Sequence, residues 1–191
     1  NLYLIHDSVP HVILDGPSDW IGLSTVALSD TTVEIKPSHH GEVLHPSKQL
    51  VDVYVHYDSL SQIQMDESGS IHTIDPLIGN EIGFISNCRS CEVDLELNCN
   101  IFYFWNIPNG THMKLTGQTS QLKLWNTGLT SINAGGVTSP YVEVKNVSQG
   151  DIHVSASYKL VYSIGNKGNI YFSGNPTIIE QGTISGTGRL I

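Results

Sequence analysis

The sequence predicts an all-β fold, a parallel β-helix (β-solenoid) of about nine turns with roughly 20 residues in each. Two observations support this prediction. Short apolar segments recur every 18–21 residues along the 191-residue chain, in two interleaved sets. The polar residues are mostly Ser, Thr, Asn and Gly, which favour strands and turns, and no ten-residue stretch has a helical period.

The two sets of apolar positions define the strands that we expect to stack. The first set is Val93, Met113, Ile132, Ile152 and Ile170, and Leu190 continues it. The second set begins at Ile101, Leu122, Val142, Leu160 and Ile178. Less regular steps extend the period upstream through Val12, Val33, Val51 and Ile71, and through Leu23, Val43, Ile63 and Ile82. Strands that recur every 8–12 residues also occur in antiparallel sandwiches and barrels, which is the alternative fold.

The side chains expected to point outward do not predict an enzyme. They are Asp94, Lys114, Asn133, His153 and Tyr171 in the first set, and Phe102, Lys123, Glu143, Val161 and Ile179 in the second. Glycosidases need two carboxylates at one sugar bond, and neighbouring turns never stack two here. Nucleophile, dinucleotide and zinc-protease motifs are absent from the sequence, so we expect no catalytic residue, no cofactor and no metal. A carbohydrate-active β-helix enzyme is the catalytic alternative.

The composition and hydropathy of the chain argue against a nucleic-acid partner and against a transmembrane helix. The formal net charge is −9, and charged residues make up only 14% of the chain. A nucleic-acid partner is therefore not expected, because phosphate binding needs clustered Lys and Arg. No apolar run reaches the roughly 20 residues of a transmembrane helix.

Cysteines and histidines leave several possibilities open. Cys88, Cys91 and Cys99 allow one disulfide, simple core packing, or a metal site completed by His45 or His72. The local cluster His39, His40 and His45 is interpreted as a group of solvated loop histidines.

Several segments resemble a known family. They are Gly150-Asp151-Ile152-His153-Val154, Gly168-Asn169-Ile170-Tyr171-Phe172-Ser173-Gly174-Asn175-Pro176, Ser185-Gly186-Thr187-Gly188 and Val51-Asp52-Val53-Tyr54-Val55. The chain resembles the "putative auto-transporter adhesin" family with the head GIN domain, from exported Bacteroidetes proteins. The resemblance implies a right-handed parallel β-helix and export to the periplasm, outer membrane or cell surface.

The expected domain is a single solenoid over residues 1–191, with N-terminal turns and a cap in 1–42 and GIN-like turns in 43–191. The expected function is a non-catalytic, adhesin-like interaction module for glycans or cell-envelope proteins. The aromatic side chains Trp125, Tyr171 and Trp105 are the candidate ligand-contact surface. The structural alternative is an envelope element that self-associates through the solenoid ends, where strand edges are unpaired.

Overall fold

The structure, a computed structural model, describes residues 1–22, 24–29, 31–37, 51–108 and 110–191. These residues form strands almost throughout, with one four-residue helix, α1 (Ser18–Ile21). The strands are, in chain order, β1 (Leu2–His6), β2 (His11–Asp15), β3 (Ser24–Ser29), β4 (Thr32–Pro37), β5 (Asp52–Tyr57), β6 (Gln62–Met65), β7 (Gly69–Thr73), β8 (Leu77–Ser86), β9 (Cys91–Asn106), β10 (His112–Gly128), β11 (Ser131–Thr138), β12 (Tyr141–Ser148), β13 (Ile152–Ser155), β14 (Lys159–Ile164), β15 (Ile170–Ser173) and β16 (Ile178–Ile184).

Parallel pairing between successive turns makes a β-solenoid, which confirms the predicted fold class. We name its two stacks of strands by their pairing. Ladder one contains, in spatial order, β5, β1, β7, the first part of β9, the first part of β10, β11, β13 and β15. Ladder two contains β6, β8, the last part of β9, the last part of β10, β12, β14 and β16. The seven strands stacked in ladder two are separated by six steps of one turn each, so the solenoid has about six turns.

The prediction of about nine turns was therefore too high. Val12 lies in β2, which pairs antiparallel with β5, and Val33 lies in β4, which forms an antiparallel hairpin with β3. Leu23 and Val43 lie outside the described residues. Alternating apolar residues occur in antiparallel strands as well as in parallel ones. A spacing near 20 residues between a few upstream apolar positions is therefore not enough to define solenoid turns.

The N-terminal strand β1 is inserted into the solenoid out of sequence order. Leu2 pairs with Val53 of β5 on one side and with Ile71 of β7 on the other, both in parallel. Strand β2 then pairs along the far side of β5. The terminal strand of ladder one is thus the five-residue antiparallel strand β2, which pairs with the outer edge of β5.

The core follows the predicted repeat. Stacked residues of ladder one are almost completely buried, and they are Ile71, Val93, Met113, Ile132, Ile152 and Ile170. The corresponding buried column of ladder two is Ile82, Phe102, Leu122, Val142 and Leu160. Each side chain covers the one in the next turn, so the apolar core is continuous along the solenoid.

The predicted phase of ladder two was wrong at two positions. Phe102 is fully buried and stacks on Leu122, whereas Tyr103 is the register partner of Lys123. Ile179 pairs with Leu160 and continues the core column, although in the last strand of ladder two it is 47% exposed. Both errors fall in runs of consecutive apolar residues, where alternation between apolar and polar residues cannot reveal which side chains point inward.

A column of buried asparagines follows the apolar core of ladder two. Asn106, Asn126 and Asn146 are each at most 1% exposed and occur every 20 residues. The side-chain Nδ2 of Asn106 donates to the carbonyl of Thr127 (3.1 Å). These amides provide hydrogen bonds for backbone groups at the corner after ladder two, which would otherwise be buried without partners.

Candidate functional site

A shallow, open groove of about 400 Å³ crosses ladder one on its outer surface. Its floor is formed by β7, β9, β10, β11 and the start of β13, and the side chains alternate between core and groove. The central row of the groove is His72, Asp94, Lys114, Asn133 and His153, which are register partners in successive turns. The outward positions predicted for this set are confirmed from Asp94 to Tyr171.

The middle of the groove is polar and contains charges of both signs. Lys114 Nζ lies 3.0 Å from Asp94 Oδ2, in an exposed ion pair that joins β9 to β10. In the adjacent row, His112 Nδ1 and Ser131 Oγ are hydrogen-bonded at 2.9 Å. The amide of Asn133 is exposed; its Oδ1 accepts a hydrogen bond from the Gly135 N–H at 3.3 Å, and its Nδ2 adds a donor. The groove therefore offers hydrogen-bond donors and acceptors on neighbouring strands.

Aromatic rings flank this polar section at both ends. On one side Tyr3 stacks on Tyr54 (ring centroids 4.9 Å apart) and lies 5.6 Å from the ring of His72. On the other side His153 and Tyr171 stack at 4.6 Å, with their planes 8° apart. His72 and His153 are four strand steps apart, or about 19 Å at about 4.8 Å per step.

The three predicted contact residues fall into two places. Trp105 and Trp125 are register partners on the outer surface of ladder two, and they are 42% and 44% exposed. They share a row with Ile85. Tyr171 belongs to ladder one, at the end of the groove. The structure thus brings the two tryptophans together but does not place Tyr171 beside them.

Sequence reasoning missed the aromatic rings at the other end of the groove. Tyr3 reaches this position because β1 is inserted between β5 and β7, and no periodic spacing indicates that pairing. The outward position of His72 was predictable from the repeat, because His72 follows the core residue Ile71 as Asp94 follows the core residue Val93.

The structure shows which cysteines are paired. Cys88 and Cys91 form a disulfide with their Cα atoms 6.4 Å apart, and Cys99 is free and buried. Burial raises the pKa of the Cys99 thiol, while a contact with Thr119 acts in the opposite direction. The side chain of His72 stacks on Tyr3 at the outer surface, whereas these sulfur atoms belong to buried residues. His39, His40 and His45 lie outside the described residues.

Comparison with known proteins identifies similar sequences and folds. A family model described as "Putative auto-transporter adhesin, head GIN domain" matches residues 1–176. No curated protein matches the sequence. In the described part of the chain, no helix has the length and apolar character needed to cross a membrane.

Solved structures share the fold at low sequence identity. A putative adhesin from Bacteroides fragilis has a TM-score of 0.88 and 21% identity, over 99% of this chain and 86% of that one. A putative lipid binding protein from Parabacteroides distasonis has a TM-score of 0.64 and 16% identity, over 100% and 87%. A putative adhesin from Parabacteroides merdae has a TM-score of 0.57 and 22% identity, over 100% and 87%. At these identities the likeness concerns the fold alone.

Proposed function

The chain belongs to the "Putative auto-transporter adhesin, head GIN domain" family, and on that premise we propose that it is an exported, non-catalytic module that binds glycans of the cell envelope. The binding site is the groove on ladder one. The observation that carries this proposal is the groove's composition, a polar middle flanked by stacked aromatic rings.

The chemistry of the groove suits a sugar chain. Sugar hydroxyls donate and accept hydrogen bonds, and Asp94, Lys114 and Asn133 present acceptors, donors and an amide in one row. The C–H faces of sugar rings pack on aromatic side chains, and the rings of His72 and His153 line the groove at its two ends. The separation of about 19 Å between His72 and His153 accommodates several sugar units in an extended chain.

The scaffold holds the groove residues in fixed positions. The groove residues stand on paired strands, and the column beneath them is almost completely buried. A site on regular strands is already ordered before the ligand arrives, so little conformational entropy is lost on binding.

The arrangement of carboxylates supports a binding role rather than hydrolysis. Glu92 and Asp94 are two residues apart on β9 and project to the same side. A glycosidase needs one of its two carboxyl groups protonated as the general acid, and a cation beside a carboxyl group opposes protonation. Asp94 is moreover paired with Lys114.

Retention of the chain on a panel of polysaccharides and envelope glycans tests this proposal, with released reducing ends measured in the same samples. We expect saturable retention without cleavage, at least about tenfold weaker in Asn133→Ala and Tyr171→Ala. Tyr158→Ala is the control, because Tyr158 is an exposed tyrosine that packs on Tyr141, away from the groove.

Three other outcomes would contradict the proposed site or the proposed function. Loss of retention in Trp125→Ala alone would move the binding site to ladder two. Release of sugar ends would establish a carbohydrate-active enzyme. Absence of retention together with a concentration-dependent mass would favour a self-associating structural element and would overturn the glycan proposal.

A further inference from the structure

Three residues that can ligate a metal ion meet at the end of ladder one. Asp7 follows β1, His11 begins β2 and His56 lies in β5, so the chain brings together positions up to 49 residues apart. One potential ligand atom from each residue lies within 4.8 Å of the other two. His11 and His56 are register partners in the antiparallel pair, and their rings stack at 3.9 Å. Because an imidazole lone pair lies in the plane of its ring, one ring must tilt out of this stack for both to bind the same ion.

Hydrogen bonds hold both imidazole rings through Nδ1. His11 Nδ1 lies 2.8 Å from the carbonyl oxygen of Val9, which can only accept, so this nitrogen carries the proton. His56 Nδ1 lies 3.0 Å from Asp7 Oδ2. Within the described parts of the chain, neither Nε2 atom has a hydrogen-bond partner. In the neutral ring each Nε2 then has an available lone pair.

Asp7 supplies the negative charge. Its Oδ1 accepts a hydrogen bond from the Val9 N–H at 3.0 Å. Both carboxylate oxygens are therefore held in place, Oδ1 by the backbone of the turn and Oδ2 by the His56 ring.

We propose that this cluster is a binding site for a divalent transition-metal ion, held by the imidazole nitrogens of His11 and His56 beside the Asp7 carboxylate. Metal-ligating histidines usually donate the other ring N–H to a carbonyl or carboxylate, which is the role of Val9 and Asp7 here. Imidazole ligands suit Zn²⁺, Cu²⁺ and Ni²⁺, whereas Mg²⁺ prefers oxygen ligands. The ion would connect β2, β5 and the end of β1, and so stabilise the folded chain.

Calorimetric titration of the purified, chelator-treated chain with ZnCl₂ tests the site, with MgCl₂ as the comparison ion. We expect Zn²⁺ binding that is at least about tenfold weaker in His11→Asn and also weaker in Asp7→Asn. His6→Asn is the matched control, since His6 is one residue from Asp7 but contacts the ring of Tyr57. Far-UV circular dichroism of each metal-free variant shows whether it is folded.

A second readout separates this site from histidines elsewhere in the chain. Zn²⁺ should raise the unfolding temperature of the unmodified chain and of His6→Asn, but not that of His11→Asn. Equal Zn²⁺ affinity and equal thermal stabilisation in the unmodified chain and in folded His11→Asn would overturn the proposal. So would the absence of Zn²⁺ binding, or a loss in His6→Asn as large as that in His11→Asn.

Discussion

Asn126 and Asn146 are buried register partners whose side-chain amides make the same contact one turn apart. Asn126 Nδ2 donates to the carbonyl of Thr130 at 2.9 Å, and Asn146 Nδ2 donates to the carbonyl of Gly150 at 3.1 Å. Each bond spans four residues and closes the corner that follows ladder two. The repetition shows that the corner is specified by side chains as well as by backbone pairing.

Replacing Asn126 with Ala should lower the free energy of unfolding by about 1–3 kcal/mol, because the Thr130 carbonyl keeps Ser148 Oγ but loses its Asn126 donor, and the buried column loses the volume of an amide. Urea unfolding measures the change. Asn98→Ala is the control, since Asn98 is an exposed amide whose partner, Gln118, is also exposed. Equal stability of the two variants would contradict the role assigned to the corner amides.

Replacing Gly168 with Ala should also destabilise the chain, by about 1–3 kcal/mol. A Cβ atom at this position would collide with the carbonyl oxygen of Gly150 in the preceding turn, so backbone must move. Gly135→Ala is the matched substitution, because its Cβ would meet the side chain of Asn133 at an ordinary contact distance of 3.6 Å. Thermal unfolding of both variants compares them, and a larger loss at Gly135 would be inconsistent with this packing.

The Cys99 thiol should resist alkylation in the folded chain. Its pKa is raised by burial, so less thiolate is present at pH 8 than for an exposed cysteine. The raised pKa favours the folded state fully below the ordinary value of 9.0, and this contribution is lost as the pH rises above it. Iodoacetamide labelling followed by mass spectrometry should show slow modification of native protein and rapid modification in urea. Rapid labelling without urea would mean that Cys99 is accessible.

Reduction of the Cys88–Cys91 disulfide should have a modest effect on stability. The two residues are three positions apart, so the closed loop is short and the entropy removed from the unfolded chain corresponds to about 2 kcal/mol at most. Unfolding in urea with and without a reducing agent measures this difference, and Cys99→Ala excludes exchange with the free thiol. A loss well above this value would indicate that the disulfide contributes to the native fold beyond closing its loop.

The C-terminal solenoid could be predicted from the sequence because its repeat is regular. From Val93 to Ile170, single apolar residues alternate with polar ones, and the structure stacks them as expected. Asn106, Asn126 and Asn146 also have a strict spacing of 20 residues, so the sequence alone indicates that they occupy equivalent positions in successive turns. Asparagine is common in turns, so its burial could not be inferred from spacing alone.

The N-terminal part and much of the site could not be predicted for a physical reason. The pairing of Leu2 with Val53 and Ile71 depends on long-range contacts that leave no periodic pattern in the sequence. The same pairing positions Tyr3 beside the groove and brings Asp7 to His56. Both candidate sites thus depend on where one strand is inserted.

The inserted strand also has a consequence for the order in which the chain folds. Neighbouring turns such as Val93 and Met113 are only 20 residues apart, whereas Leu2 must find partners 51 and 69 residues further along. During synthesis, β1 leaves the ribosome before β5 and β7, so it has no complete docking site until β7 has been made. Loop closure over this distance is slower than closure between adjacent turns, so we expect β1 to join the sheet after the strands that it pairs with. Until then the gap between β5 and β7 stays open, and a β1 segment from a second chain has the same complementary edges available, which is the condition for domain-swapped assembly.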